Sequence, residues 1–160
     1  MSAYDSLLAG SSYRFADYEV GEKIDHVDGM TIEEAEHQIA TRLYQNTAKV
    51  HFNQHSEGQG RFGRRLIYGG VIISLARALS FNGLANAFHI AAINAGRHVA
   101  LTFAGDTIYA WSEIIGASDI PGRDDCGALR IQMVAAKNTD CAAFPLKLAD
   151  GAFDPAIVLD

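Results

Sequence analysis

The chain has 160 residues, of which 49% are hydrophobic and 20% are charged, and its formal net charge is −6. This size and balance predict one globular domain with a core of its own. The only dense group of basic residues is Arg61, Arg64 and Arg65, which argues against a nucleic-acid-binding surface.

The sequence also indicates where the protein resides. The N-terminal segment has no basic stretch followed by an apolar one, so no secretory signal is predicted. The apolar run from Val71 to Leu79 is too short to cross a membrane. Cys126 and Cys141 stand outside the spacings of metal or redox motifs and are expected to be free thiols. We therefore expect a cytoplasmic protein with no membrane partner.

The first regular element is predicted to follow an N-terminal arm, residues 1–11, at the start of a domain spanning 12–160. Thr31 with Glu34 three positions later fits a capping box, which predicts a helix that runs to about Tyr44. Apolar residues recur along it at helical spacing, on a stripe made of Ile32, Ala35, Ile39 and Leu43. That stripe is expected to face the core.

A glycine-rich polar segment, residues 54–66, predicts a loop before the next helix. The sequence from Gly70 is apolar on nearly every face, so this helix is expected to be wrapped by the rest of the domain and to stop near Asn82-Gly83. Segments rich in β-branched and aromatic residues then predict strands, at His89 to Asn94, Arg97 to Phe103, Thr107 to Ala117 and Ala128 to Lys137. The predicted class is α+β, an antiparallel sheet curled around a long buried helix.

A polar pair lies between these two helices. Asn46 and His51 are five residues apart, and Ile67-Tyr68-Gly69-Gly70 follows downstream. This pattern resembles the MaoC-type hydratases of the hot-dog fold, which act on α,β-unsaturated thioesters of coenzyme A. The family pattern is an Asp, four intervening residues, a His, and later a Gly at the start of the central helix. Its positions fall on Asn46, His51 and Gly69, so the Asp is replaced by an amide.

The resemblance implies roles for these residues. A histidine titrates near neutrality and can exchange protons with water or with Cα, which suits His51. A backbone N–H at a helix start can stabilise the enolate oxygen, which suits Gly69. An amide takes up no proton, so our hypothesis is that His51 makes both transfers while Asn46 orients the water. Asn46 is equally well explained as a helix-ending residue.

The resemblance covers residues 13 to 137, and the segment around the polar pair is most similar to mesaconyl-CoA hydratases, which contain two fused hot-dog units. It implies an acyl-CoA substrate with a short branched or dicarboxylic acyl group, and no cofactor beyond the coenzyme A of the substrate. It also implies a homodimer or a higher homo-oligomer. We expect four residues to contact substrate, namely Tyr68, Gly70, Arg64 and Arg65.

Two other functions stay open at this point. A catalytically inactive hot-dog module could bind acyl-CoA or pair with an active half, and the amide at position 46 favours that alternative. Hydrolysis of an acyl-CoA thioester is the second alternative on the same fold.

Two further patterns carry little weight. His51 and His55 are four residues apart, but Phe52 stands where a zinc protease has its Glu, so no metal is predicted. The segment from Gly58 to Gly63 satisfies G-x-G-x-x-G but has no preceding strand, which predicts a loop rather than a dinucleotide site.

Overall fold

The structure is a computed structural model that describes residues 5, 8 and 10–160, so most of the predicted arm lies outside the described residues. The helices are α1 (Glu34–Leu43), α2 (Gln54–Glu57), α3 (Gly69–Leu79) and α4 (Phe81–Leu84). The strands are β1 (Lys23–Asp25), β2 (Met30–Thr31), β3 (Thr107–Asp119), β4 (Gly127–Lys137) and β5 (Ile157–Leu159). Short 3₁₀ turns occupy Phe15–Asp17 and Lys49–His51.

One antiparallel sheet contains all five strands, in the order β1-β3-β4-β5, with β2 also paired to β3. Its centre is the long hairpin of β3 and β4, whose register shifts at a bulge between Ile114 and Gly116. Both strands match the sequence-based prediction closely. Their β-branched residues pack well on a pleated, half-buried surface, which explains why the local pattern was sufficient.

Helix α3 lies against this sheet and begins at Gly69, as predicted to within one residue. It buries a stripe formed by Val71, Ile72, Leu75, Ala76 and Leu79. Ile73 is 39% exposed, so the expectation that every face would be covered is wrong for this chain alone. The helix ends earlier than predicted, and the chain bends sharply at Asn82 and Gly83 in α4.

Helix α1 is packed with the opposite face inward from the one predicted. His37, Gln38 and Thr41 are buried, whereas Ile39 is 57% and Leu43 is 70% exposed. The apolar spacing predicted the wrong buried face because these polar side chains find hydrogen-bond partners inside the protein, described below.

The predicted capping box at the start of α1 is also wrong. Thr31 belongs to β2, where its hydroxyl lies 2.8 Å from that of Thr107, and the helix begins at Glu34. The Glu34 carboxylate forms an ion pair with Arg65 instead of capping the helix.

The segment between α4 and β3 does not form the two predicted strands. Residues 89–94 carry no strand, and Ile90 and Ile93 are 55% and 72% exposed. Residues 97–99 pair with the chain end through an isolated bridge between His98 and Leu159. Residues 157–159 form the strand β5, which was not among the predicted strands above. A strand needs a partner as well as a pattern, and the sequence alone does not supply the partner.

Candidate active site

His51 ends the short turn that follows α1, and its surroundings fix the form of its ring. Its Nδ1 lies 3.0 Å from the carbonyl oxygen of Leu66, and a carbonyl can only accept. Nδ1 therefore carries the proton of the neutral imidazole and donates it to Leu66. Nε2 is left with a free lone pair, which is what a general base requires.

The buried face of α1 holds the His51 segment in place. The side-chain amide of Gln38 donates to the carbonyl oxygen of His51 at 2.9 Å. Thr41 lies one turn further along, and its hydroxyl donates to the carbonyl of Gln38. Gln38 and Thr41, which lie off the predicted apolar stripe, thus support the turn that carries His51.

His37 connects α1 to the start of α3. Its Nε2 accepts the backbone N–H of Tyr68, the residue that precedes Gly69, at 2.9 Å. Its ring is 1% exposed and stands edge-on to the ring of His51, with centroids 6.2 Å apart. Desolvation, with the neighbouring charges of His51 and Arg65, lowers the pKa of His37 to about 4. The ring is therefore neutral near pH 7 and can accept this hydrogen bond.

The role of His37 was missed by sequence reasoning. Helical periodicity assigned this residue to the exposed face, and a single histidine there carries no other signal. Only the packing of α1 against the start of α3 reveals that it links the two candidate catalytic segments.

Asn46 has a structural part in ending α1. The backbone N–H of Asn46 donates to the carbonyl oxygen of Thr41 at 2.9 Å. The N–H of Gln45 donates to the carbonyl oxygen of Arg42 at 3.2 Å, and Gln45 has the left-handed backbone conformation. These two bonds form a Schellman motif, as the helix-ending interpretation expects. The side-chain oxygen of Asn46 also accepts the N–H of Ala48 at 2.9 Å, which leaves one lone pair and the NH₂ group for a water.

An open cleft of about 440 Å³ lies beside the end of α1. Asn46 lines it together with Gln38, Thr41, Arg42, Gln45, Thr47 and Phe52. Neither His51 nor Gly69 is among the lining residues. The structure thus gives Asn46 access to solvent but does not bring the three motif residues into one cavity.

The two glycines at the start of α3 each make room for a side chain of the same chain. A Cβ added to Gly69 would lie 2.4 Å from Nε2 of His98. A Cβ added to Gly70 would lie 2.8 Å from the ring of Tyr68, which in turn is 5.8 Å from the ring of His51. The N–H of Val71 bonds to the carbonyl of Tyr68 at 2.9 Å, so the groups at the start of the helix that can bind an oxyanion are the N–H groups of Gly69 and Gly70.

The two predicted substrate-binding arginines have different surroundings. The guanidinium of Arg64 stacks on Phe103, 4.0 Å from the ring centroid, and the side chain is exposed. Arg65 is held by its ion pair with Glu34 and by a bond of 3.3 Å to the carbonyl of Phe52. Arg64 is therefore accessible to a ligand, whereas Arg65 joins the loop to α1.

Within the described residues, no three side chains of His, Cys, Asp or Glu come together as a metal site. Over the same part of the chain, no helix is long and apolar enough to span a membrane. Cys126 and Cys141 are both free, and burial raises the pKa of the Cys141 thiol to about 12.

The fold and the site define the class of protein as a hot-dog domain, and comparison with known proteins agrees. A double hot-dog protein from Mycobacterium tuberculosis matches with a TM-score of 0.61 and 26% identity, over 88% of this chain and 37% of that one. An (R)-hydratase from Pseudomonas aeruginosa, 18% identical over 92% of this chain and 80% of that one, shares the fold with a TM-score of 0.63. No family model matches the chain.

Two curated proteins and one solved structure are similar to this chain over nearly its whole length. The chain is 68% identical over 157 residues to β-methylmalyl-CoA dehydratase of Chloroflexus aurantiacus, covering 98% of this chain and 45% of the relative. It is 55% identical over 159 residues to mesaconyl-CoA hydratase of Cereibacter sphaeroides, covering 98% and 44%. A solved MaoC domain protein dehydratase from Chloroflexus aurantiacus superposes with a TM-score of 0.93, at 68% identity over 98% of this chain and 45% of that one.

The chain has the hot-dog fold, and nearly its whole length is similar to these relatives. It spans slightly less than half the length of the curated relatives it matches.

Proposed function

We propose that this domain catalyses the addition of water to an α,β-unsaturated acyl-CoA, and the reverse dehydration. The observation that carries the proposal is the orientation of His51, whose Nδ1–H is bound to Leu66 so that Nε2 is a base. The names of the relatives, a β-methylmalyl-CoA dehydratase and a mesaconyl-CoA hydratase, support this reaction class. They also favour a short, branched, dicarboxylic acyl group.

In the hydration direction, Nε2 of His51 takes a proton from water as the oxygen forms a bond to Cβ. The π electrons move toward the thioester and leave an enolate, which the free N–H groups at the start of α3, including that of Gly69, stabilise. Asn46 orients the water through its remaining lone pair or its NH₂ group. The N–H bond formed at Nε2 of His51 then breaks, and its proton passes to Cα, which completes the reaction and leaves the imidazole neutral again.

The coenzyme A portion of the substrate is proposed to bind on the loop before α3. Arg64, Phe103 and the neighbouring Phe62, whose ring lies 5.6 Å from that of Phe103, form an exposed aromatic and cationic surface. A guanidinium there can pair with a phosphate while a ring stacks on adenine. Tyr68 and Gly70 are proposed to contact the acyl end. Arg65 is proposed to act by holding this loop.

The domain is proposed to work in the cytoplasm and in association with a second hot-dog unit, in a homodimer or a larger oligomer. The relatives are about twice as long as the stretch they share with this chain, which is consistent with a need for two units. Apolar side chains that the described residues leave uncovered, such as Leu43 at 70% and Phe88 at 81% exposure, are consistent with such an association.

An inactive module that binds acyl-CoA or pairs with an active half is the second candidate, and Asn46 favours it. An amide in place of a carboxylate removes one proton carrier without disturbing the fold, because an Asp could accept the N–H of Ala48 equally well. This candidate predicts that the chain binds acyl-CoA but turns nothing over.

The deciding experiment follows the loss of the enone thioester absorbance of mesaconyl-CoA and crotonyl-CoA with the purified chain. We expect hydration by the wild type, and a fall of about 100-fold or more in kcat for His51→Ala. His55→Ala is the matched control, because His55 is exposed on α2 and should retain activity. Unchanged turnover in His51→Ala would refute the mechanism. Release of free thiol would indicate the thioesterase instead.

A further inference from the structure

The proposed reaction has a second proton transfer, to Cα, for which the motif residues provide no carrier besides His51. His51 takes the proton from water, and Asn46 cannot ionise. One imidazole could make both transfers only if it served two atoms in turn. Another titratable group beside the enolate would remove that requirement.

His98 occupies such a position. Its Nε2 lies 2.4 Å from the ideal position of a Cβ on Gly69, so the ring is packed directly against this glycine. Cα–Cβ bonds in a helix tilt toward its N-terminus, so this space adjoins the end of α3 where the free N–H groups point. An imidazole there is next to the groups proposed to bind the enolate oxygen.

The setting of His98 leaves its side chain available. Its backbone is anchored, because residue 98 bridges Leu159 and the flanking Arg97 and Val99 bond to the chain end. Its ring has no hydrogen-bond partner or ion pair among the residues that the structure describes, and the residue is exposed. The ring can therefore turn toward a bound acyl group while its backbone stays in place.

We propose that His98 is a further catalytic residue, the group that exchanges the proton at Cα. The proposal rests on the hydratase function above. In hydration, Nε2 of His51 receives the proton of water as the C–O bond forms at Cβ, and the enolate develops. The Nε2–H bond of protonated His98 then breaks, and its proton forms the new C–H bond at Cα. His98 is left neutral, and one proton returns from His51 to His98 through solvent.

This assignment explains how the chain can work with Asn46. The carboxylate of the family pattern would be a second proton carrier, and His98 supplies that capacity from another part of the chain. It follows that a carboxylate restored at position 46 should compensate for the loss of His98. A merely structural role of His98 predicts no such compensation.

The test compares four proteins in the hydration of crotonyl-CoA: wild type, His98→Gln, Asn46→Asp and the double variant. We expect His98→Gln to lower kcat by about 100-fold with KM changed less than a few-fold, the range typical of a lost acid or base. The double variant should recover at least about 10-fold of that loss. His89→Gln is the matched control, since His89 is also exposed and lies outside the site.

A second readout isolates the proton transfer. In D₂O, deuterium exchange at Cα of 3-hydroxybutyryl-CoA should fall in parallel with kcat in His98→Gln. Thermal unfolding should be unchanged, because the replaced ring is exposed.

The outcomes separate this proposal from the proposed function. Wild-type kcat in His98→Gln overturns the role of His98 and leaves the hydratase with one imidazole for both transfers. An inert wild type with an active Asn46→Asp overturns both proposals and supports the inactive module, the second candidate above. Activity lost in His98→Gln and not recovered in the double variant overturns the proton-transfer role. If both wild type and Asn46→Asp are inert, both proposals fail.

Discussion

Replacing His37 tests the link between α1 and the start of α3. The buried ring accepts the N–H of Tyr68, and leaving a buried N–H without a partner costs about 1–3 kcal/mol. His37→Leu should therefore lower the free energy of unfolding by an amount in that range, measured by urea denaturation at pH 7.5. His37→Gln retains an acceptor and should lose less.

The pH dependence of this effect has a definite sign. The pKa of His37 is lowered from 6.5 to about 4, so the unfolded chain takes up a proton at a higher pH than the folded one does. Above pH 6.5 the contribution to stability is fully present, and it is lost as pH falls from 6.5 toward 4. At about 1.4 kcal/mol per pKa unit, the full loss is roughly 3 kcal/mol.

The assay is urea denaturation of wild type and His37→Gln at intervals from pH 7.5 to 4. The groups around His37 that also titrate or carry charge are His51, Arg65 and Glu34, and both proteins share them. The unfolding free energy of wild type relative to that of His37→Gln should therefore fall as pH falls through this window, and it should become negative at the acidic end. A difference that stays constant from pH 7.5 to 4 would refute the reasoning.

Two further predictions concern the neighbouring segments. Arg64→Ala should raise KM for an acyl-CoA several-fold without changing thermal stability. Arg65→Ala should lower the unfolding free energy by about 1–2 kcal/mol, because the Arg65 side chain is 14% exposed and paired with Glu34. The reverse assignment of effects would contradict the described contacts. Gln45→Gly should have an unfolding free energy, measured in urea, about 1 kcal/mol higher than that of Gln45→Ala. Residue 45 has a φ of +51°, and only glycine adopts this backbone angle without strain. Equal unfolding free energies would argue against strain at this position.

Local patterns predicted the parts of the fold whose surroundings are uniform along the element. β3 and β4 pair with each other along most of their length, so their own composition was enough to identify them. Helix α3 was recognised from its apolar sequence and its leading glycines. His51 and Gly69 could be selected as candidates for the same reason, because they lie in a short, recognisable pattern, and their roles stay predictions.

The predictions were wrong where the contacts of a helix or strand are with residues far along the chain. α1 has a good apolar stripe, yet His37 is buried because Tyr68, 31 residues away, offers it a hydrogen bond. Residues 89–94 have the composition of a strand but no strand to pair with in the described chain. The position of His98 beside Gly69 likewise depends on the pairing of its segment with β5.

The sequence by itself determined the α+β class, the central helix, the main hairpin and the motif that contains His51. These follow from short-range periodicity and from residue chemistry, which need no knowledge of distant neighbours. The tertiary structure alone decided which face of α1 is inside, which nitrogen of His51 bonds to Leu66, and that His98 adjoins the start of α3. Each of these depends on a contact between residues far apart in the chain, and burial rewards such a contact only when a partner satisfies the polar groups involved.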